Sequence, residues 1–179
     1  DEWKSVTPVR LQAAAQLVAA DYAANHWHGP DDLSAELYLG WNEKGLCYAL
    51  KITDDQPTDH ETESSTLGLS ARYRHADRSG YDVLVDLSRQ EATAAPERVT
   101  IRSGATTVHE GFIPTAELPA ELQPAAGRTV GLNLAVRDSD DRTGMPNVWC
   151  VSNLMAWSTQ QDGYRVETDA QTCGEITFR

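Results

Sequence analysis

At 179 residues, 40% hydrophobic and 23% charged, the chain fits a single domain spanning residues 1–179, able to fold without metal or disulfides. Its 15 Lys and Arg against 27 Asp and Glu give a formal net charge of -12, which repels phosphate backbones and anionic lipid and argues against a nucleic-acid partner. No run approaches the roughly 20 apolar residues of a membrane span, and Asp1-Glu2-Trp3-Lys4 is not a signal peptide, so a soluble domain or a soluble piece of something larger is expected.

Along the chain, Leu11, Ala14, Ala15, Val18 and Tyr22 fall at helical spacing between Leu11 and Ala24. The same stretch also reads as edge strands at Val9-Arg10-Leu11 and Gln16-Leu17-Val18. The clearest signal follows: two runs of period-two alternation, Ala35 to Asn42 and Leu46 to Thr53, separated by Glu43-Lys44-Gly45, predict a β-hairpin. In it Leu37, Leu39 and Trp41 share a face with Ala35, and Tyr48, Leu50 and Ile52 with Leu46. Asp54 to Ser65 is the most polar stretch and reads as a solvated loop. Further strands are expected at Leu67 to Arg74, Tyr81 to Leu87, Arg98 to Arg102, Thr107 to Ile113, Thr129 to Arg137, Asn147 to Val151 and Glu175 to Phe178. Thr115 to Leu122, between Pro114 and Pro124, holds one or two helical turns at most. Many short strands broken by Gly, Pro, Asp and Ser predict an all-β chain, an antiparallel β-sandwich.

The chemistry-bearing residues are sparse. There is no phosphate-binding glycine loop, His-Glu-x-x-His, Gly-x-Ser-x-Gly or dinucleotide fingerprint, and no spacing that pairs two carboxylates for glycoside hydrolysis, so an enzyme is not expected. Cys47 lies in an apolar run and reads as a small core residue; Cys150 and Cys173 are candidates for pairing only in an oxidising compartment. His26 and His28 flank Trp27, but two imidazoles do not complete a tetrahedral metal site. Asp138, Asp140 and Asp141 concentrate carboxylates in a turn after a strand, as hard oxygen ligands for calcium often are, although the run lacks the spacing of an EF-hand. Asp54-Asp55 forms a second acidic cluster at the end of the hairpin. Either cluster is also readable as an Asp-rich turn bonding its own backbone.

From His28 to Asp55 the order of residues becomes specific. Trp27 is followed by Gly29-Pro30-Asp31-Asp32-Leu33-Ser34, a strand ending Gly40-Trp41, the turn Asn42-Glu43-Lys44-Gly45, and a strand ending Ile52-Thr53-Asp54-Asp55. Later come Phe112-Ile113-Pro114-Thr115-Ala116-Glu117-Leu118, then Gly127-Arg128-Thr129-Val130-Gly131-Leu132-Asn133 running on to Asp141, and Cys173-Gly174-Glu175-Ile176-Thr177-Phe178. Spaced this way along nearly the whole chain, these segments resemble the family 9 carbohydrate-binding modules. The resemblance implies a jelly-roll sandwich that holds a polysaccharide or oligosaccharide without catalysis. It also implies covalent linkage to a secreted or extracellular glycan-degrading catalytic domain, a monomeric module, and calcium in the scaffold.

In the best-known branch of that family the end of a sugar chain sits between two tryptophans, because a pyranose offers a C–H face to an aromatic ring and hydroxyls to polar groups around it. The stretch from Gln56 to Arg74 contains no tryptophan, so either a second ring comes from elsewhere or the sugar stacks on one ring alone. Trp157 and then Trp149, with Asn153 and Gln160 nearby, are the candidate plates, and Arg72 and Arg137 the candidate hydroxyl ligands. Trp41 reads as core, and Trp3 and Trp27 as covers of the sandwich edge. The alternative is a structural or protein-interaction sandwich of a surface protein.

Overall fold

The computed structural model describes residues 2–16, 27–57, 64–71, 82–87, 98–138, 140, 148–151 and 174–179. Ten strands occur among them: β1 Val9–Leu11, β2 Leu33–Asn42, β3 Gly45–Asp54, β4 Ser64–Ser70, β5 Val83–Asp86, β6 Val99–Ser103, β7 Thr106–Pro114, β8 Thr129–Asp138, β9 Val148–Val151 and β10 Gly174–Thr177. Every pairing is antiparallel. One sheet runs β1-β2-β3-β7-β6; the other runs β10-β8-β4-β5, with β9 also paired to β8. The sandwich expected from strand spacing is the architecture found.

Alternation builds the core. Leu33, Ala35 and Leu37 of β2 and Leu46, Tyr48 and Leu50 of β3 point inward, opposite Leu67 and Leu69 of β4 and Val130, Leu132, Leu134 and Val136 of β8. The β2–β3 hairpin is in full register from Leu33↔Asp54 to Asn42↔Gly45. Its turn is set by Asn42, whose Oδ1 accepts the Lys44 N–H at 2.8 Å. Gly45 is required there, because a Cβ would lie 2.1 Å from the Ile113 carbonyl oxygen on β7. Trp41 is half-buried on the inner face, its ring 5.8 Å from Phe178 and its indole N–H donating to the Arg179 carbonyl, which closes the C-terminus onto the hairpin.

Three expectations are corrected. The helical spacing from Leu11 does not prevail: of the two readings of this stretch, the edge strand at Val9–Leu11 is the one found, with Leu11 buried through the pairing Leu11↔Ala35. Ala14–Gln16 forms a single 3-10 turn held by the Gln16 side chain, and residues 17–26 lie outside the described set. Cys47 is not core; it belongs to the outward-facing set of β3 and is half-buried. The ends of the Asp54 to Ser65 stretch are not solvated, since both Asp54 and Ser65 are buried strand residues. Trp3, from a 3-10 turn at Glu2–Ser5, lies over Gly40 on the outer face of β2 beyond the end of β1, and Trp27 packs at the core margin and donates to the Leu33 carbonyl. The remaining strands fall where alternation places them, within a few residues at each end.

Tyr48 is the largest core side chain, 1% exposed, and its hydroxyl has no hydrogen-bond partner among the described residues. Burial pushes that phenol's pKa up. Its ring fits only because its cross-strand neighbour is Gly111: a Cβ there would meet Tyr48 Oη at 2.5 Å and Cζ at 2.6 Å. Beside it on the inner face of β7, His109 is buried with Nδ1 2.9 Å from Thr100 Oγ1. Burial and the neighbouring Arg102 hold its imidazole below the usual pKa, against the opposing pull of Asp86.

Two outcomes follow from this packing. Gly111→Ala destabilises the fold by about 1–3 kcal/mol in denaturant unfolding, whereas Tyr48→Phe, which removes an unsatisfied hydroxyl, is neutral or stabilising. Because the folded state favours neutral His109, its stability contribution is complete above the unfolded pKa, about 6.5, and falls as pH drops through it, the unfolded chain then binding more protons. His109→Gln, followed by thermal unfolding from about pH 7.5 to 5.5, flattens that decline.

Candidate functional site

The inner-face alternation of β3 and β8 ends on carboxylates. Asp54 continues the inward set Leu46, Tyr48, Leu50 and Ile52, and Asp138 continues Val130, Leu132, Leu134 and Val136, so both reach the same end of the sandwich from opposite sheets. Asp54 is 7% and Asp138 1% exposed. One oxygen from each, with one from Asp140, lies within 4.8 Å of the others. A second triad, Asp32, Asp55 and Asp140, meets the same criterion and shares Asp140.

Backbone donors orient these groups. The His28 N–H reaches Asp32 Oδ2 at 2.7 Å and the Gln56 N–H reaches Asp54 Oδ1 at 2.8 Å. The Asp55 N–H donates to the Asp32 carbonyl, tying the turn before β2 to the end of β3. Carboxylates gathered this closely repel one another, and burial strengthens the repulsion. A hard cation reverses the sign of that term. Ligands of one calcium ion at 2.3–2.6 Å are no more than about 5 Å apart, which the observed spacing satisfies, and both triads consist of carboxylates alone. The donors therefore fit calcium.

Asp54 and Asp55, read from the sequence as one cluster and Asp138 and Asp140 as another, thus meet in one place. Asp141 lies outside the described residues. Asp32 was missed. Hairpin register alone points to it: Leu33 pairs with Asp54, so the residue before Leu33 falls beside Asp55.

Two further predicted residues, Arg137 and Trp149, lie on paired strands of the second sheet. Arg137 alternates with inward Val136 and is half-buried; burial lowers its guanidinium pKa while Asp86 opposes the shift. β9 places Trp149 directly opposite Arg137, and Ser64 of β4 is Arg137's partner on the other side. Arg137 and Trp149 are therefore register neighbours on adjacent strands. Farther along the same face, Asn133 and Ser70 are buried. Asn153, Trp157, Gln160 and Arg72 lie outside the described residues, as does Cys173, and the described part of Trp149 and Cys150 is their strand backbone.

No protein-family model matches the chain, and no curated protein does. Solved structures that share its fold include two sugar-bound modules. One is a family 9 carbohydrate-binding module from Caldicellulosiruptor kristjanssonii in complex with cellotriose, 14% identical, with a TM-score of 0.63, the match covering 100% of this chain and 85% of that one. The other is a family 9 module from the same organism in complex with glucose, 14% identical, with a TM-score of 0.61, covering 100% of this chain and 87% of that one. The fold is that of the family 9 carbohydrate-binding modules.

Proposed function

We propose that this domain is a noncatalytic glycan-binding module that holds an oligosaccharide or polysaccharide by aromatic stacking and hydrogen bonds. The observation that carries the reading is a fold shared over the whole chain with two modules whose structures hold cellotriose and glucose. The described part of the site is Arg137 on β8 and its register partner Trp149 on β9. Trp157 and Trp149 supply the plates, and Arg137, Arg72, Asn153 and Gln160 the hydrogen bonds. Arg137 suits this role physically, because a guanidinium lifted partly out of water gives up less hydration when it donates to a sugar hydroxyl. The natural setting of such a module is a secreted glycan-degrading protein, with catalysis in a separate domain.

Calcium is part of the proposal as a structural ion held by Asp54, Asp138 and Asp140, with Asp32 and Asp55 alongside and Asp141 as a further ligand. When bound it neutralises carboxylates that otherwise repel. The residues themselves join the turn before β2, the end of β3 and the end of β8, so the ion ties one sheet to the other.

Two measurements test the reading. Calorimetry with glucose, cellotriose and a panel of longer oligosaccharides detects binding that Trp157→Ala and Trp149→Ala each weaken by about 1–3 kcal/mol. A null result with every glycan removes the function and leaves the fold. Calcium at about 100 times its Kd stabilises the folded state by about 2.7 kcal/mol, a rise in Tm of roughly 5–10 °C over chelator-treated protein. Asp138→Asn abolishes the rise and exposed Asp31→Asn preserves it; equal melting in calcium and chelator defeats the metal site.

A further inference from the structure

The first sheet has an outer face of its own, on the opposite side of the sandwich from Arg137 and Trp149, and its composition is not that of a plain solvent face. Register sets its rows. One row runs Arg10–Glu36–Lys51–Val108–Ile101, the next Tyr38–Ala49–Glu110–Val99, the next Gly40–Cys47–Phe112. Gly40 has no side chain, and the Trp3 ring occupies that place: Cζ3 would lie 3.5 Å from a Cβ at Gly40. Trp3 and Tyr38 then form a tilted pair, centroids 6.3 Å apart and planes inclined at 50°. Phe112 lies two strands away, about 10 Å across the sheet. Val99 and Ile101, 50% and 59% exposed, extend the same face to its edge.

A polar border runs beside the rings. Glu36 Oε1 accepts from Arg10 Nε at 3.0 Å, and its Oε2 lies 3.2 Å from the Tyr38 hydroxyl and 3.9 Å from Lys51 Nζ. The Arg10 hydrogen bond, foremost among these contacts, holds the Glu36 carboxyl below its usual pKa, so an oriented carboxylate stands at the edge of the Tyr38 ring.

We propose that this face is a second glycan-binding surface, in which Trp3, Tyr38 and Phe112 receive the C–H faces of an uncharged sugar chain and Glu36 and Glu110 accept its hydroxyls. Inclined rings bordered by fixed acceptors match a ligand that is apolar on its faces and hydroxylated around its rim. Charge selects the class. The strand cations on this face, Arg10 and Lys51, both reach Glu36 and a second carboxylate lies at Glu110, so the strand charges balance and give a uronate or sulfated sugar no net attraction. This surface does not depend on the Trp157 site, and the two together make the module bivalent toward a long chain.

Amide-resolved NMR titration of the whole chain with cellohexaose tests it. The expected result is a shifted group of amides in β2, β3 and β7, separate from any in β8 and β9. Tyr38→Ala and Trp3→Ala each abolish that group or weaken it at least about fivefold, with unfolding curves confirming that the variants fold. Shifts confined to β8 and β9 overturn the second surface and leave the first reading standing. Shifts confined to β2, β3 and β7 do the reverse, and no shift anywhere defeats both. Concentration-dependent sedimentation abolished by Val99→Ser and Ile101→Ser, with no cellohexaose response on this face, shows an interface between copies and also overturns the proposal.

Discussion

The structure depends on one constraint: two sheets face each other through leucines, and the period-two rule that aims those leucines continues for one more step into carboxylates. Leu50 and Ile52 commit β3 to a register in which Asp54 must also point inward, and Leu134 and Val136 do the same for Asp138. Neither acid can turn to solvent without rotating its strand and exposing its leucines. The apolar core thus holds the carboxylates in a place where they repel each other unless a cation joins them. The cluster then acts as a polar end-plate of the core.

The same alternation divides the outer surfaces. In β8, the residues between the core positions are Gly131, Asn133, Ala135 and Arg137, small or polar side chains that end on a guanidinium whose strand partner is Trp149. In β2 and β3 the corresponding residues are Glu36, Tyr38, Gly40, Cys47, Ala49 and Lys51, where small side chains let rings lie across the strands. A single hairpin therefore lines the core with one face and builds a ring-bearing surface with the other. Gly111 completes the inner face, since only a missing side chain lets the Tyr48 ring lie against β7 without forcing β3 and β7 apart.

Much of the fold was legible from sequence because its long strands are amphipathic in the plainest sense. The β2–β3 hairpin and β8 could be read residue by residue, down to which side chains face inward. The N-terminal stretch stayed open between two readings, because alanines suit a helix and a sheet edge alike, and the edge strand prevailed through a pairing of Leu11 with Ala35 that no local pattern contains. Cys47 misled for a related reason: an apolar neighbourhood in sequence says nothing about face, whereas the alternation it belongs to does. At the candidate metal centre the residue types were visible and their meeting was not. Asp54 and Asp138 are 84 positions apart, and only the packing of one sheet on the other brings them together.

Distance in sequence also explains how a fold can persist at 14% identity to the sugar-bound modules. The sandwich asks for apolar side chains at alternate positions, a requirement that many sequences satisfy with Leu, Val or Ile. A carboxylate end-plate is more demanding, because it needs acidic residues at the ends of strands whose register is set by everything before them. The outer faces are least constrained by folding, so they are where ligand preference can change without loss of the scaffold. In this chain the stretch from Gln56 to Arg74 lacks a tryptophan, while Trp3, Tyr38 and Phe112 lie on the outer face of the first sheet. Ring positions can shift between surfaces in a stable sandwich, because the leucine core between the two outer faces does not depend on either.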